Sequence, residues 1–184
     1  MAEEAGFTAE EADLIAQGNQ GTDENPKTEP FLAGEKARED YHFTTPERRK
    51  EMLEEALKQN DLEKFGQYLH AFQDSYSHQN SEVPETWARR ILNLINPQQK
   101  NTPYPASTGH LVDGEWPDKT YNRPELADKM ALETYNEIQN FYSITNSAKT
   151  INRWNEIKGE VMEFNRIHIE NEDKKGQFLE LNAK

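Results

Sequence analysis

The sequence predicts an all-α fold, and three observations carry that prediction. Apolar residues recur at three- and four-residue spacing along several stretches. Helix-start signals stand directly before those stretches. No stretch shows a convincing apolar–polar alternation of the kind a half-buried strand needs. A length of 184 residues suggests one domain. Only 34% of residues are apolar and 30% are charged, a balance that leans towards disorder. Three Trp, seven Tyr and eight Phe offset that lean, because large aromatic side chains can anchor a core. The expectation is a compact bundle of about six helices over residues 1–170, with two long polar loops. Residues 171–184 read as a polar tail that frays.

Each element has its own signal. Thr8-Ala9-Glu10-Glu11 has capping-box spacing and opens a short helix through Ala12, Ile15 and Ala16. A polar stretch from Gln17 to about Lys36, with its Pro and Gly, reads as the first loop. Thr45-Pro46 is an N-cap followed by proline at the first helical position, with Met52, Leu53, Ala56 and Leu57 behind it. Asn60-Asp61 restarts a helix through Leu62, Phe65, Leu69, Phe72 and Tyr76. Pro84 opens another, carrying Trp87, Ile91 and Ile95. From Asn96 to Arg123 no period is visible, and a loop of that length is usually functional or disordered. Pro124 opens a long helix with Ala127, Met130, Ala131, Tyr135 and Ile138 inward. A last helix carries Ile144, Ala148, Ile151, Trp154, Ile157, Val161 and Phe164.

Composition excludes several function classes. No apolar run approaches the roughly 18–20 residues of a membrane span. The acidic start, MAEEAGFTAEEADLIAQ, has no secretory apolar run. With no cysteine there is neither a disulfide nor a thiolate metal site, so a metal must be held by His, Asp and Glu. A net charge of −13 opposes strong electrostatic binding to nucleic acid and docking on anionic lipid.

The five histidines are not scattered. His70, Asp74 and His78 are spaced four and four, so on a helix they share one face with a drift of roughly 40° per step. Zinc takes neutral imidazole and carboxylate when thiolate is absent. Gly66, one turn before His70, would let another backbone or a substrate approach that face. His42 stands just before the Thr45 cap. His110 and Asp118 lie in the long loop, among Gly109, Gly114 and Pro117. His168 has no acidic partner at ligand spacing and reads as structural.

The run Gly66-Gln-Tyr-Leu-His-Ala-Phe-Gln-Asp-Ser-Tyr-Ser-His-Gln79 resembles bacterial proteins related to zinc-dependent phospholipase C. That superfamily also includes the single-strand-specific fungal nucleases, and related domains end large polymorphic toxins of the Rhs type. Phe7 to Asn25 resembles the family's N-terminal block, and Gly109-His110 through Met130-Ala131 its downstream block. The resemblance implies a metallohydrolase-like domain that cleaves phosphodiesters at a centre of up to three metal ions. It implies Asp23, His42, His70, Asp74, His78, His110 and Asp118 as metal ligands, with Asp23 and Asp74 in the catalytic role. In the best-known phospholipases of the family the last ligand pair is His-x3-Glu on a helix, and a free N-terminal Trp adds another. Here His110 and Asp118 stand in a loop, and the chain begins Met1-Ala2.

The expected cofactor is therefore zinc: one ion, with a second and third if the full set is present. The expected activity is phosphodiester hydrolysis of phospholipase C type, in a bacterial toxin or effector setting. A zinc-dependent nuclease and a non-catalytic, metal-stabilised interaction domain are the alternatives. Trp116, Tyr121, Tyr104 and Leu111 would serve acyl chains and stacked bases equally. The expected partners are a phospholipid or nucleic-acid substrate and, for a toxin, an immunity protein. With no signal sequence, the expected location is the cytoplasm or a larger exported toxin.

Overall fold

The structure is a computed structural model, and it describes residues 1–78, 117, 119–149 and 152–167. Among these residues it is all-helical: seven α-helices, one π-helical turn and one 3₁₀ turn, with no strand. Helix α1 spans Ala2–Ala5, α2 Ala9–Glu24, α3 Glu35–Ala37, α4 Pro46–Gln59 and α5 Leu62–Ser77. The π-helical turn spans Arg38–His42 and follows α3 directly. After a 3₁₀ turn at Thr120–Asn122, α6 spans Pro124–Thr145 and α7 Trp154–Asn165.

The starts of α2, α4, α5 and α6 are those the sequence signals. Thr8 accepts from the Glu11 N–H while Glu11 accepts from the Thr8 N–H, which completes the capping box. Thr45 caps α4 ahead of Pro46, and Asp61 caps α5 through the Lys64 N–H. Asn60 closes α4 in the left-handed region, at φ 50°.

Helix α5 is the centre of the bundle, packed by α2, α4, α6 and the π-helical turn. Phe65 is fully buried and stacks on Phe141 of α6 with ring centroids 3.9 Å apart. Burying a side chain of that size contributes about 2–3 kcal/mol. Tyr135, Leu69, Ala71, Ala56, Met52, Ile15 and Trp154 complete the core. The chain start is tied in from α6 and α7. Phe7 packs edge-on against Tyr142, the Tyr135 hydroxyl donates to the Glu4 carbonyl, and the Arg153 N–H donates to Tyr135.

Two stretches differ from the sequence expectation. Helix α2 does not stop near Gln17 but runs on to Glu24. Gly18 and Thr22 extend the buried stripe of Ile15, so two residues without apolar side chains hide a helical face. At the other end, Ile144 belongs to α6 and is exposed, and the next helix starts ten residues later at Trp154. Thr145 and Asn146 hydrogen-bond back to the Phe141 and Tyr142 carbonyls, and Ser147 turns through φ 50°, which ends α6. The helix expected from Pro84, most of the Asn96–Arg123 loop and the tail from residue 171 lie outside the described residues.

Candidate metal centre

The site begins with a helix crossing. A Cβ on Gly66 would lie 2.2 Å from the Ile15 carbonyl oxygen and 2.7 Å from the Asn19 nitrogen. A Cβ on Gly18 would lie 2.0 Å from the Glu63 carbonyl oxygen. Only glycine at both places lets α2 and α5 touch backbone to backbone. One turn beyond that contact, Asp23 on α2 faces His70 and Asp74 on α5. Asn19 reinforces the crossing, its side chain donating to Gln73 at 3.0 Å.

The third wall is the π-helical turn, whose i to i+5 bond runs from the Phe43 N–H to the Arg38 carbonyl. It delivers His42, only 3% exposed, between α2 and α5. His42 Nε2 lies 2.9 Å from the Thr28 carbonyl oxygen. A carbonyl only accepts, so the proton sits on Nε2 and Nδ1 faces the cluster. Thr28 is itself fixed, its hydroxyl donating to the Thr22 carbonyl at 2.8 Å. His70 likewise carries a backbone hydrogen bond to Asn19. Ligating histidines are typically held this way, one ring nitrogen on a backbone carbonyl and the other turned to the ion.

Three candidate ligand atoms converge there, and the Asp74 carboxylate stands against the two histidines. His42 Nδ1 lies 3.1 Å from His70 Nε2 and 3.1 Å from Asp74 Oδ2. His70 Nε2 lies 3.3 Å from Asp74 Oδ2. Asp23 Oδ1 lies 3.5 Å from His70 Nε2 and 3.8 Å from His42 Nδ1. Asp23, His42 and His70 thus form a compact ligand group. A point equidistant from their three atoms, 3.1, 3.5 and 3.8 Å apart, lies about 2.0 Å from each. That is the length of a zinc–nitrogen or zinc–oxygen bond. Tetrahedral zinc would set its ligands about 3.3 Å apart, close to every separation above. The residues therefore fit a divalent ion both in donor type and in spacing.

The electrostatics agree. Burial alone would push the Asp74 carboxyl up, but His78, His42 and His70 outweigh it and hold the group far below the ordinary carboxylate range. Burial would lower the His70 imidazole, but the Asp74 and Asp23 carboxylates with the Asn19 bond raise it overall. Two carboxylates and two imidazoles this close need positive charge among them, as a proton or as a metal ion. The histidine side is closed to water, whereas the Asp23 side chain is 51% exposed and leaves that side open.

His78 stands at the end of the same helix. Helix α5 ends at Ser77 and His78 caps it, its backbone N–H still donating to the Asp74 carbonyl at 2.8 Å. Its Nδ1 lies 3.1 Å from the His42 carbonyl, and its ring stacks on Phe43 with centroids 4.0 Å apart. Nδ1 therefore carries the proton, and the ring braces the segment that bears His42. His110, Asp118 and His168 lie outside the described residues, as do Trp116, Tyr104 and Leu111. Tyr121 is in the 3₁₀ turn.

Sequence reasoning missed four residues that build the site: Gly18, Asn19, Thr28 and Arg123. Gly18 had a signal, since it falls three residues after Ile15 on the buried stripe. Arg123 donates to the Ser77 carbonyl at 2.9 Å and to the Pro117 carbonyl at 2.6 Å, which ties the end of α5 to the start of α6. No local pattern announces Thr28 or Arg123, because each acts on a segment distant in sequence.

Comparison with protein-family models, curated proteins and solved structures finds no match.

Proposed function

We propose that the chain is a metal-dependent phosphodiester hydrolase of phospholipase C type. The observation that carries this reading is the convergence of Asp23, His42 and His70 at ligand spacing, with the Asp74 carboxylate against both histidines, closed on the histidine side and open at Asp23. The motif resemblance around His70 supports the reaction class. A divalent ion, when bound, supplies both water activation near neutral pH and neutralisation of charge on a phosphoryl oxygen.

The chain's own groups do the rest. His42 and His70 are locked by backbone carbonyls, so neither ring must reorganise when substrate arrives. Asp74 stays ionised beside them and keeps the two imidazoles oriented. Asp23 stands at the rim, where its carboxylate can orient an attacking water and take its proton. An anionic diester would be repelled by this acidic chain, so a dication must offset the charge where phosphate sits.

The test is zinc-loaded protein assayed on bis(p-nitrophenyl) phosphate, on phosphatidylcholine and on single-stranded DNA. Hydrolysis of the first two, lost in Asp74→Ala and in Asp23→Asn, supports the reading. Cleavage of DNA with no action on lipid replaces it with the nuclease reading. Full metal occupancy with no hydrolysis of any diester replaces it with a metal-stabilised interaction domain.

A further inference from the structure

Among the described residues, the two most exposed large apolar side chains are neighbours: Phe31 at 85% and Leu32 at 87%. They follow Thr28, whose carbonyl orients His42, by three and four residues, in a chain whose mean hydropathy is −1.07. The others, Met1, Leu14 and Ile144, are scattered and only half exposed.

The tip that bears them is built. The Glu29 carboxylate accepts from the backbone N–H groups of Phe31, Leu32 and Ala33. The Glu29 N–H donates to the Asn25 carbonyl at 2.8 Å, and Arg38 donates to the Pro30 carbonyl at 3.0 Å. The nine residues 25–33 are thereby tied into one braced turn, with the Phe31, Leu32 and Ala33 donors satisfied from within and the two apolar side chains turned outward. Bracing of this sort removes the entropy cost of ordering the loop on binding. Thr28, which orients His42, precedes Phe31 by three residues, so the tip cannot lie more than about 11 Å from it along the chain.

We infer that Phe31 and Leu32 form an interfacial wedge that inserts into a zwitterionic phospholipid surface and seats the metal centre over the headgroup phosphates. Three considerations select this occupant. Two side chains bury at most roughly 400 Å². A stable protein pair needs about 800 Å² from each partner, so a second copy is too large a demand for this tip. A bilayer needs no complementary shape, only apolar depth. Charge then selects the lipid class. From Asp23 to Asp40 there are six acidic and three basic residues, a balance that anionic lipid repels and zwitterionic lipid accepts. The inference deepens the phosphodiesterase reading by naming lipid as the substrate class, and rests on that reading for the chemistry but not for the insertion.

The experiment uses the full zinc-loaded chain and unilamellar vesicles of dioleoylphosphatidylcholine. Wild type should co-sediment with vesicles, and a Phe31→Ser/Leu32→Ser variant should lose roughly tenfold in partitioning. Hydrolysis of the vesicle lipid should fall by a similar factor, while hydrolysis of soluble bis(p-nitrophenyl) phosphate stays unchanged. A Phe31→Trp variant keeps the apolar tip and should blue-shift its emission on vesicles. Unchanged partitioning of the serine variant, no emission shift, or wild type left in the supernatant overturns the wedge. So does light scattering that shows a dimer which the serine variant splits. Soluble diester hydrolysis without vesicle binding leaves the catalytic reading standing and removes the wedge. Vesicle binding that depends on Phe31 and Leu32, with no diester hydrolysed, leaves the wedge standing and removes the catalytic reading.

Discussion

His42 is the residue on which the centre turns. It contacts all three other members of the cluster, and both its ring nitrogens have an assigned role. His42→Ala should weaken zinc affinity by at least roughly 100-fold, measured by competition with a chromogenic chelator. His78→Ala should cost about tenfold, because its Nδ1 holds the His42 carbonyl and its ring acts on Asp74. Equal losses would mean that His78 is a direct ligand. Protons and metal compete for the same lone pairs, which fixes a pH dependence. His70 titrates above its ordinary 6.5 in the metal-free fold, so its stabilising effect is complete below 6.5 and is lost as pH rises through the raised value. Asp74 titrates below its ordinary 3.8, so its contribution is present above 3.8 and is lost as pH falls through the lowered value. Metal-free protein should therefore be most stable between about pH 4 and 6.5, while the extra stability conferred by zinc should grow from pH 6 to pH 8. Thermal melts of both forms across that range check the sign. A zinc increment that shrinks with rising pH would contradict the assignment.

At the scale of elements, the α2–α5 crossing is what converts separate residues into a site. Gly66→Ala would force a methyl into backbone of α2, at 2.2 Å from a carbonyl oxygen that has no flexible side chain to move. The helices must part, at a cost of about 3 kcal/mol. For a chain of this length that lowers Tm by roughly 6–12 °C. Zinc affinity should fall too, since Asp23 and His70 separate with the helices. Gly159→Ala is the control, because nothing lies within 4 Å of a Cβ there. The crossing also explains what was legible in the sequence. His70 and Asp74 are neighbours by helical period alone, so four-residue spacing finds them. The same rule carries on to His78, which stands at the cap of that helix with Nδ1 on the His42 carbonyl. Gly66 was legible as a place of close approach. Its counterpart Gly18 lay inside what reads as a polar loop, where its three-residue spacing from Ile15 was the one signal. His42 reaches the cluster through a π-helical turn, and one widened turn has no composition signal.

For the whole molecule, the fold class was legible because caps and apolar period agree at α2, α4 and α5 and proline marks the start of α6. The meeting of segments 23, 28, 42 and 70–74 was not, since it depends on three elements closing around one point. That closure is what a bound ion would add to the fold. The ligand atoms come from α2, from the π-helical turn and from α5, and α5 is also the core of the bundle through Phe65 and Leu69. With an ion held there, unfolding would break the coordination as well as the core, and metal binding free energy would become folding free energy. With free zinc held about 1,000-fold above its dissociation constant, the gain is about 4 kcal/mol. That corresponds to a rise in Tm of roughly 8–16 °C for this chain length, reversed by a chelator. A His42→Ala/His70→Ala variant should melt at one temperature with or without zinc. If its Tm rises as far as that of the wild type, the ion is held elsewhere and the centre described here does not bind it.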